Sequence, residues 1–127
     1  MSAATLLIVE DNPRNLKLVR DVLAHAGYRT REAASAEEAL ELVRAELPDL
    51  VLMDIQLPGI DGVEALRRLR ADPRTSGVPV VALTAFAMKA DRDRFEAAGF
   101  DGYLEKPVDI RALRRAVAAL LGAEARP

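Results

Sequence analysis

The sequence predicts a single α/β domain built on a doubly wound parallel sheet, and two features of the residue pattern indicate this fold class. Short apolar stretches that suit buried strands alternate five times with segments that suit helices, which favours a parallel sheet covered by helices on both faces. The apolar stretch at residues 50–53 is followed at once by Asp54 and then by turn residues. Open α/β sheets place their ligand sites at the carboxyl ends of such strands.

Apolar spacing and helix-ending residues define the individual segments. The strands are predicted at residues 5–9, 28–33, 50–53, 79–83 and 102–104. The helices are predicted at residues 13–26, 36–47, 62–71, 88–98 and 110–121. The second strand is the most polar and therefore suits an edge of the sheet, so the flavodoxin-like strand order 2-1-3-4-5 fits best.

The helices differ in their start signals and in the strength of their apolar faces. Asn12, Ser35 and Asp109 can cap the first, second and last helices. The fourth helix has a weak apolar face, with Phe95 and Ala98 as its main anchors. The last helix carries five aliphatic side chains on one face, which are Ile110, Leu113, Val117, Leu120 and Leu121. The arginine-rich part of the third helix, Arg67, Arg68 and Arg70, is expected to face solvent.

The composition is that of a globular domain and disfavours several functions. The 127 residues suit one domain, with a core at residues 5–121, a loose tail at 122–127 and no attached output domain. A net charge of −2 gives no reason to expect nucleic acid as a partner, and no segment suits insertion into a membrane. The absence of cysteine, together with an amino terminus unlike a signal peptide, fits a cytoplasmic protein.

Chemically active side chains stand at the predicted carboxyl ends of four strands. Glu10 and Asp11 follow the first strand, Asp54 the third, Thr84 the fourth and Lys106 the fifth. Parallel strands end side by side along one rim, where three carboxylates repel one another unless a cation joins them. Oxygen ligands favour a hard ion, so Mg²⁺ is the expected one, with Mn²⁺ as a substitute.

A metal ion, an ammonium group and a hydroxyl around one carboxylate form a site suited to phosphoryl transfer. In such transfers, positioning and the neutralisation of charge do most of the work. Asp54 is then the expected nucleophile, because aspartate can form a covalent acyl phosphate. Each residue alone has an ordinary explanation as a turn, a cap or a strand end; their joint position at one rim favours the phosphoryl-transfer hypothesis.

With these residues in place, the chain resembles the receiver domains of two-component response regulators from Leu6 to Leu121. Four motifs carry the resemblance: Ile-Val-Glu-Asp-Asn at 8–12, Leu-Met-Asp-Ile-Gln-Leu-Pro-Gly at 52–59, Leu-Thr-Ala at 83–85, and Lys106-Pro107. The segments 55–58 and 84–89 are most similar to the DivK-type single-domain regulators of cell-cycle and developmental pathways.

The resemblance implies a role for each residue of the rim. Asp54 is expected to accept the phosphoryl group from a histidine kinase or a histidine phosphotransfer protein. Thr84, Lys106 and the main-chain N–H of Ala85 are expected to bind phosphoryl oxygens. The expected Mg²⁺ ligands are Asp11, Asp54, the main-chain carbonyl of Gln56 and, mainly through water, Glu10.

The resemblance also implies a switch and a shielded intermediate. Thr84 and Tyr103 are expected to couple phosphorylation to the fourth helix, whose altered surface a downstream protein reads. Gln56 and Phe86 are expected to flank the acyl phosphate and slow its hydrolysis. The bond between Lys106 and Pro107 is expected to be cis.

A docking surface is expected on the first helix, beside the rim. Arg14, Asn15 and Leu18 lie off the apolar stripe of this helix, and a leucine that faces water suits a protein contact. We expect the phosphodonor protein to bind there.

Three other functions match parts of the pattern. Phosphatases of the haloacid-dehalogenase kind also form an aspartyl phosphate, but they use a second Asp two residues after the nucleophile, where this chain has Gln56. A nucleotide- or flavin-binding module would need glycines after the first strand, where this chain has Glu-Asp-Asn-Pro. A degenerate interaction domain would not need the complete rim. The sequence therefore predicts a phosphoacceptor switch, whose only chemistry is transfer to its own Asp54 and autodephosphorylation.

Overall fold

The computed structural model describes residues 3–85 and 88–125, with side chains up to Leu121. The strands in this part of the chain are β1 (Thr5–Val9), β2 (Arg29–Ala33), β3 (Leu50–Asp54), β4 (Val80–Thr84) and β5 (Gly102–Glu105). The helices are α1 (Pro13–His25), α2 (Ala36–Ala45), α3 (Gly62–Ala71), α4 (Lys89–Ala98) and α5 (Ile110–Ala125). The predicted alternation of strand and helix is confirmed.

The strands form one parallel sheet in the order β2-β1-β3-β4-β5, which confirms the predicted topology. All residues of the central strands β3 and β4 are buried, whereas the edge strand β2 has exposed positions. Burial on both faces explains the unbroken apolar runs in the sequence. Because every strand runs in the same direction, the carboxyl ends of all of them meet at one rim.

Two apolar layers enclose the sheet, and strand side chains alternate between them. On β3, Leu52 packs in the layer formed with α1 and α5, whereas Val51 and Met53 pack in the layer formed with α2, α3 and α4. The same alternation continues along each strand to the rim. The position of a residue in its strand therefore decides which face of the sheet its side chain takes.

Side chains cap the helices at the predicted positions. Asn12, Ser35 and Asp109 each accept hydrogen bonds from backbone N–H groups in the first turn of the next helix, at 2.8–3.3 Å. Asp61 caps α3 in the same way. The exception is α4, where Met88 stands at the cap position before Lys89 and its side chain makes no capping hydrogen bond. The amino terminus of α4 is therefore the least secured of these helix ends.

The attachment of α4 differs from the prediction at one of its two anchors. Phe95 is buried as expected and meets Phe100 edge-to-face, with ring centroids 6.0 Å apart. Ala98, the second predicted anchor, is exposed. The reason is that the chain leaves the helix at Gly99, whose φ of 108° turns it inward, so that Phe100 rather than Ala98 fills the apolar layer.

The last helix departs from the sequence pattern at both ends. Ile110 is 49% exposed, because it stands at the first position of α5 and lines a shallow groove with Val22 and His25 of α1. At the other end, α5 runs on to Ala125, so the segment 122–125 is helical rather than a loose tail, in line with its alanine content. In the part of the chain that the structure describes, no helix combines the length and apolar character needed to cross a membrane.

Arg70, expected to face solvent, instead joins three segments of the fold. Its Nη1 donates hydrogen bonds to the carbonyls of Ser76 and Val78 at 3.0 and 2.7 Å. Its Nη2 donates to the carbonyl of Gly99 at 3.1 Å and to Oδ2 of Asp101 at 2.9 Å. The side chain thus ties the end of α3 to the loops that precede β4 and β5.

Candidate functional site

Asp54 ends β3 and lies at the centre of the rim. The residue is only 3% exposed, and both of its carboxylate oxygens have partners. Oδ1 accepts a hydrogen bond from the N–H of Gln56 at 3.0 Å, and Oδ2 lies 2.9 Å from Nζ of Lys106. These two contacts, one to each oxygen, fix the orientation of the carboxylate.

Lys106 reaches the rim from the turn after β5. Its Nζ lies 2.9 Å from Oδ2 of Asp54 and 2.9 Å from Oε1 of Glu10. Its backbone N–H donates to the carbonyl of Thr84 at 2.8 Å, and its bond to Pro107 is cis, as predicted. Burial opposes the charge on Lys106, but hydrogen bonds with the two carboxylates outweigh it and raise the pKa of the ammonium group.

Side-chain alternation explains why these three groups meet. Ile8, Leu52 and Leu104 all pack in the layer formed with α1 and α5. Glu10, Asp54 and Lys106 each follow one of them by two positions, so they take the same face of the sheet at its rim.

The carboxylates of Glu10, Asp11 and Asp54 form a compact cluster. Each can offer one oxygen so that the three oxygens lie within 4.8 Å of one another. Glu10 is buried and Asp11 is exposed at the mouth of the cluster. Burial, with the neighbouring Asp54, raises the pKa of Glu10 above its usual value. The ammonium group of Lys106 does not neutralise all three acids, so the cluster keeps a net negative charge. A set of donors that are all oxygen atoms fits a hard divalent cation.

Two further groups shape the site, and neither was identified from the sequence. The first is the N–H of Gln56, which orients Asp54. The second is Gly62, at the start of α3, where a Cβ atom would lie 2.5 Å from the carbonyl oxygen of Asp54 and 3.0 Å from the Cα of Ile55. Only glycine lets α3 begin this close to the end of β3. The Asp-Gly pair before an apolar helix was the available signal.

The predicted switch residues lie on the other face of the sheet. Ala82 packs in the layer shared with α4. Thr84 takes the same face because it follows Ala82 by two positions on β4. Tyr103 takes this face as well, since it is in register with Ala82 on the neighbouring strand. Thr84 is buried, whereas Tyr103 is 36% exposed. Ala85 follows Thr84 in an exposed bend, and Phe86 lies outside the described residues, so its shielding role stays a prediction.

The predicted docking residues border the rim on α1. Asn12, the cap of this helix, lies next to the acidic cluster and accepts hydrogen bonds from the N–H groups of Arg14 and Asn15. Leu18 is one turn further along the helix and is 39% exposed. The three residues thus lie in the first half of α1, the helix that follows Glu10 and Asp11 in the chain, and Leu18 is partly exposed to solvent.

A parallel sheet with a buried aspartate at its centre, held by a lysine and flanked by two acids, defines a receiver-type α/β domain. The chain matches the response regulator receiver domain family over residues 6–118, and it belongs to that family. It is a phosphoacceptor switch of two-component signalling, a class that works with a histidine kinase and a downstream effector. Nothing in the comparisons supports the alternative of a haloacid-dehalogenase phosphatase.

Relatives and solved structures agree with this assignment. The polar-differentiation response regulator DivK of Brucella ovis is 42% identical over 118 residues, which cover 93% of this chain and 96% of the relative. A putative response regulator from Chloroflexus aurantiacus has 38% identity and a TM-score of 0.91, covering 95% of this chain and 99% of its own. The receiver domain of the sensor histidine kinase PA1611 from Pseudomonas aeruginosa, solved with magnesium in its active-site cleft, has 36% identity and a TM-score of 0.87 over 95% of this chain and 99% of its own.

Proposed function

We propose that Asp54 is the phosphoacceptor of this receiver domain and that Glu10, Asp11, Asp54 and the carbonyl of Gln56 hold Mg²⁺ beside it. The observation that carries the proposal is the fixed, buried Asp54 carboxylate between Lys106 and the acidic cluster. Receiver domains bind Mg²⁺ in such an acidic cluster, and the related PA1611 domain holds the ion in its cleft. Mn²⁺ has the same preference for oxygen ligands and would substitute.

The chain's own residues position and neutralise the transferred group. A carboxylate oxygen of Asp54 attacks the phosphorus of a phosphohistidine, the P–N bond breaks and the P–O bond of an acyl phosphate forms. The ammonium group of Lys106, which lies 2.9 Å from Oδ2, stabilises the negative charge that develops on the phosphoryl oxygens. Thr84 and the N–H of Ala85 bind the other phosphoryl oxygens. The bound metal ion supplies the remaining charge neutralisation.

The phosphodonor is a histidine kinase or a histidine phosphotransfer protein that binds at Arg14, Asn15 and Leu18. Arg14 and Asn15 lie in the first turn of the helix that follows Glu10 and Asp11, and the exposed Leu18, one turn further, offers an apolar contact. Output runs through a downstream cytoplasmic protein that reads the phosphorylated surface of the receiver domain rather than through nucleic acid or membrane binding. The domain is not an enzyme towards other substrates, and it returns to its resting state by autodephosphorylation.

The switch connects Asp54 to Tyr103 through Thr84. A phosphoryl group brings about −1.5 to −2 units of charge and strong acceptor oxygens to Asp54. Thr84 moves towards these oxygens to donate its hydroxyl, and Tyr103, on the same face of the sheet, turns inward behind it. The exposed surface of α4 and β5 changes as a result.

The test is phosphorylation by acetyl phosphate with Mg²⁺, followed by mass spectrometry. The Asp54→Asn variant should gain no phosphoryl group, because the amide is a poor nucleophile and a neutral ligand. Asp21→Asn is the matched control: Asp21 is exposed near the end of α1, away from the rim, and this variant should be labelled like the parent. Undiminished labelling of Asp54→Asn would refute the assignment.

A further inference from the structure

Tyr103 is held at the surface by one side chain of α4. Nη1 of Arg92 donates a hydrogen bond to the hydroxyl oxygen of Tyr103 at 2.9 Å. The same guanidinium lies over the ring, with Cζ at 5.8 Å from the ring centroid. Arg92 therefore engages both the polar end and the aromatic face of the tyrosine, which restricts it more than either contact alone.

This contact is prominent because α4 has few other attachments. Among the described residues of α4, Phe95 is the one that is buried. Other charged side chains of this helix pair along the helix itself: Lys89 with Asp93, and Arg94 with Asp91. Arg92 instead reaches across to β5.

The side chains of Arg92 and Tyr103 border a cavity rather than tightly packed neighbours. Arg92 and Tyr103 line a cavity of about 320 Å³ between α4 and β5, whose apolar lining comes from Phe95 and Phe100. In addition, the residue in register with Tyr103 on β4 is the small Ala82. The tyrosine ring is thus kept in place by Arg92 rather than by tightly packed neighbours, and it can move when this contact breaks.

We propose that Arg92 is an autoinhibitory latch that holds Tyr103 outward and so biases the unphosphorylated domain towards its resting state. The inference rests on the proposed function, since it takes Tyr103 as the switch residue. Phosphorylation of Asp54 must break the Arg92–Tyr103 contact before the ring turns inward. Arg92 acts through Tyr103 and is therefore a positioning residue. The stability of this one contact sets the equilibrium between the outward and inward positions of Tyr103.

The chain allows a direct measurement, because it contains two tyrosines and no tryptophan. In a Tyr28→Phe background, 3-fluorotyrosine labels Tyr103 alone, and its ¹⁹F resonance reports the outward and inward positions. Beryllofluoride with Mg²⁺ serves as the phosphoryl mimic and defines the inward resonance. Arg92→Gln removes the latch, Arg92→Lys keeps the charge, and Arg94→Gln is the matched control, because Arg94 lies over Phe95 and does not touch Tyr103.

Arg92→Gln should shift the Tyr103 resonance of the mimic-free protein towards the inward position. By linkage, it should also tighten beryllofluoride binding about threefold to tenfold, the range expected for one exposed cation–π and hydrogen-bond contact. Arg94→Gln should change neither the Tyr103 resonance nor the beryllofluoride affinity. Arg92→Lys should give values between those of the parent and Arg92→Gln. Tyr103→Phe should tighten binding as Arg92→Gln does, and combining the two should add little further.

Unchanged resonance and affinity in Arg92→Gln, or equal effects of Arg92→Gln and Arg94→Gln, would overturn the latch. A parent protein that binds beryllofluoride without any change at Tyr103 would also overturn it, while leaving the phosphoacceptor site intact. Failure of the parent to bind beryllofluoride, or equal binding by the parent and Asp54→Asn, would instead count against the proposed function.

Discussion

Glu10 is a buried acid whose ionisation links the stability of the fold to the proposed metal site. Burial raises its pKa above the usual 4.5, so the folded metal-free chain keeps this proton at pH values where the unfolded chain has lost it. The stability of the metal-free domain therefore falls as the pH rises from 4.5 through the raised pKa. A cation bound in the cluster favours the ionised carboxylate and offsets this loss.

Glu10→Gln should separate these two effects. The amide has no charge to bury, so the melting temperature of the metal-free variant should exceed that of the parent at neutral pH, and the difference should shrink as the pH is lowered towards 4.5. Mg²⁺ affinity should fall about tenfold. Thermal melts with and without Mg²⁺ over a pH series test both. A metal-free variant that melts below the parent at neutral pH would contradict this account.

At Gly62 the backbone of the site leaves no room for a side chain. A methyl group there meets the carbonyl of Asp54 at 2.5 Å, so the loop must shift. Gly62→Ala should destabilise the domain by about 1–3 kcal/mol and slow phosphorylation by acetyl phosphate. Gly77→Ala is the matched control, since nothing lies within 4 Å of its added methyl group. Equal stability and equal labelling rates in the two variants would show that Gly62 does not position Asp54.

At the scale of elements, the helices around the rim have different attachments. The α1 helix starts with a capped turn beside Asp54 and buries Val19 and Leu23, so it is a stable platform. The α4 helix lacks a side-chain cap and is held chiefly by Phe95 and the Arg92 contact. A stable helix suits the docking of a phosphodonor, whereas a weakly attached one suits a change of surface.

The docking role of α1 can be tested with two leucines. Leu18→Asp should reduce phosphotransfer from a cognate histidine kinase about tenfold or more, because it places a charge in an apolar contact. Labelling by acetyl phosphate should stay unchanged. The control is Leu47→Asp, which alters a leucine that is 53% exposed before β3, at the opposite end of the sheet. Parallel losses in both variants, or none in Leu18→Asp, would exclude a specific docking surface on α1.

At the scale of the whole molecule, Arg70 links parts of the chain that are distant in sequence. Its four hydrogen bonds join α3 to the loops before β4 and β5, and Asp101 also accepts from the N–H of Val80 at 2.8 Å. These contacts lie at the end of the sheet away from the rim. They stabilise the half of the sheet formed by β4 and β5, which carry Thr84 and Tyr103.

Arg70→Met keeps the aliphatic stem but leaves these acceptors without the guanidinium. It should lower the free energy of unfolding by about 1–3 kcal/mol. Arg67→Met changes an exposed neighbour that pairs only with Glu64 among the described residues, and it should stay within about 0.5 kcal/mol of the parent. Urea denaturation of both variants gives the comparison. Similar midpoints for the two would show that the Arg70 contacts add no stability.

Local residue patterns were sufficient to predict the fold and the chemical groups of the rim. Continuous apolar runs require strands buried on both faces, and capping residues mark where the helices begin, so the alternation and its order followed from local patterns. Glu10, Asp54 and Lys106 could be placed together because parallel strands end at one edge. These inferences need only periodicity and direction, which are properties of neighbouring residues.

Contacts that depend on packing between distant segments could be identified only in the folded chain. The N–H of Gln56 on Asp54, the glycine required at 62, the clamp of Arg70 and the contact of Arg92 with Tyr103 all join groups whose spacing carries no periodic signal. Ala98 and Ile110 likewise had the right spacing for burial but lie outside the apolar layers. Helical periodicity specifies which residues share a face, whereas the position of the helix on the sheet decides how much of that face is covered.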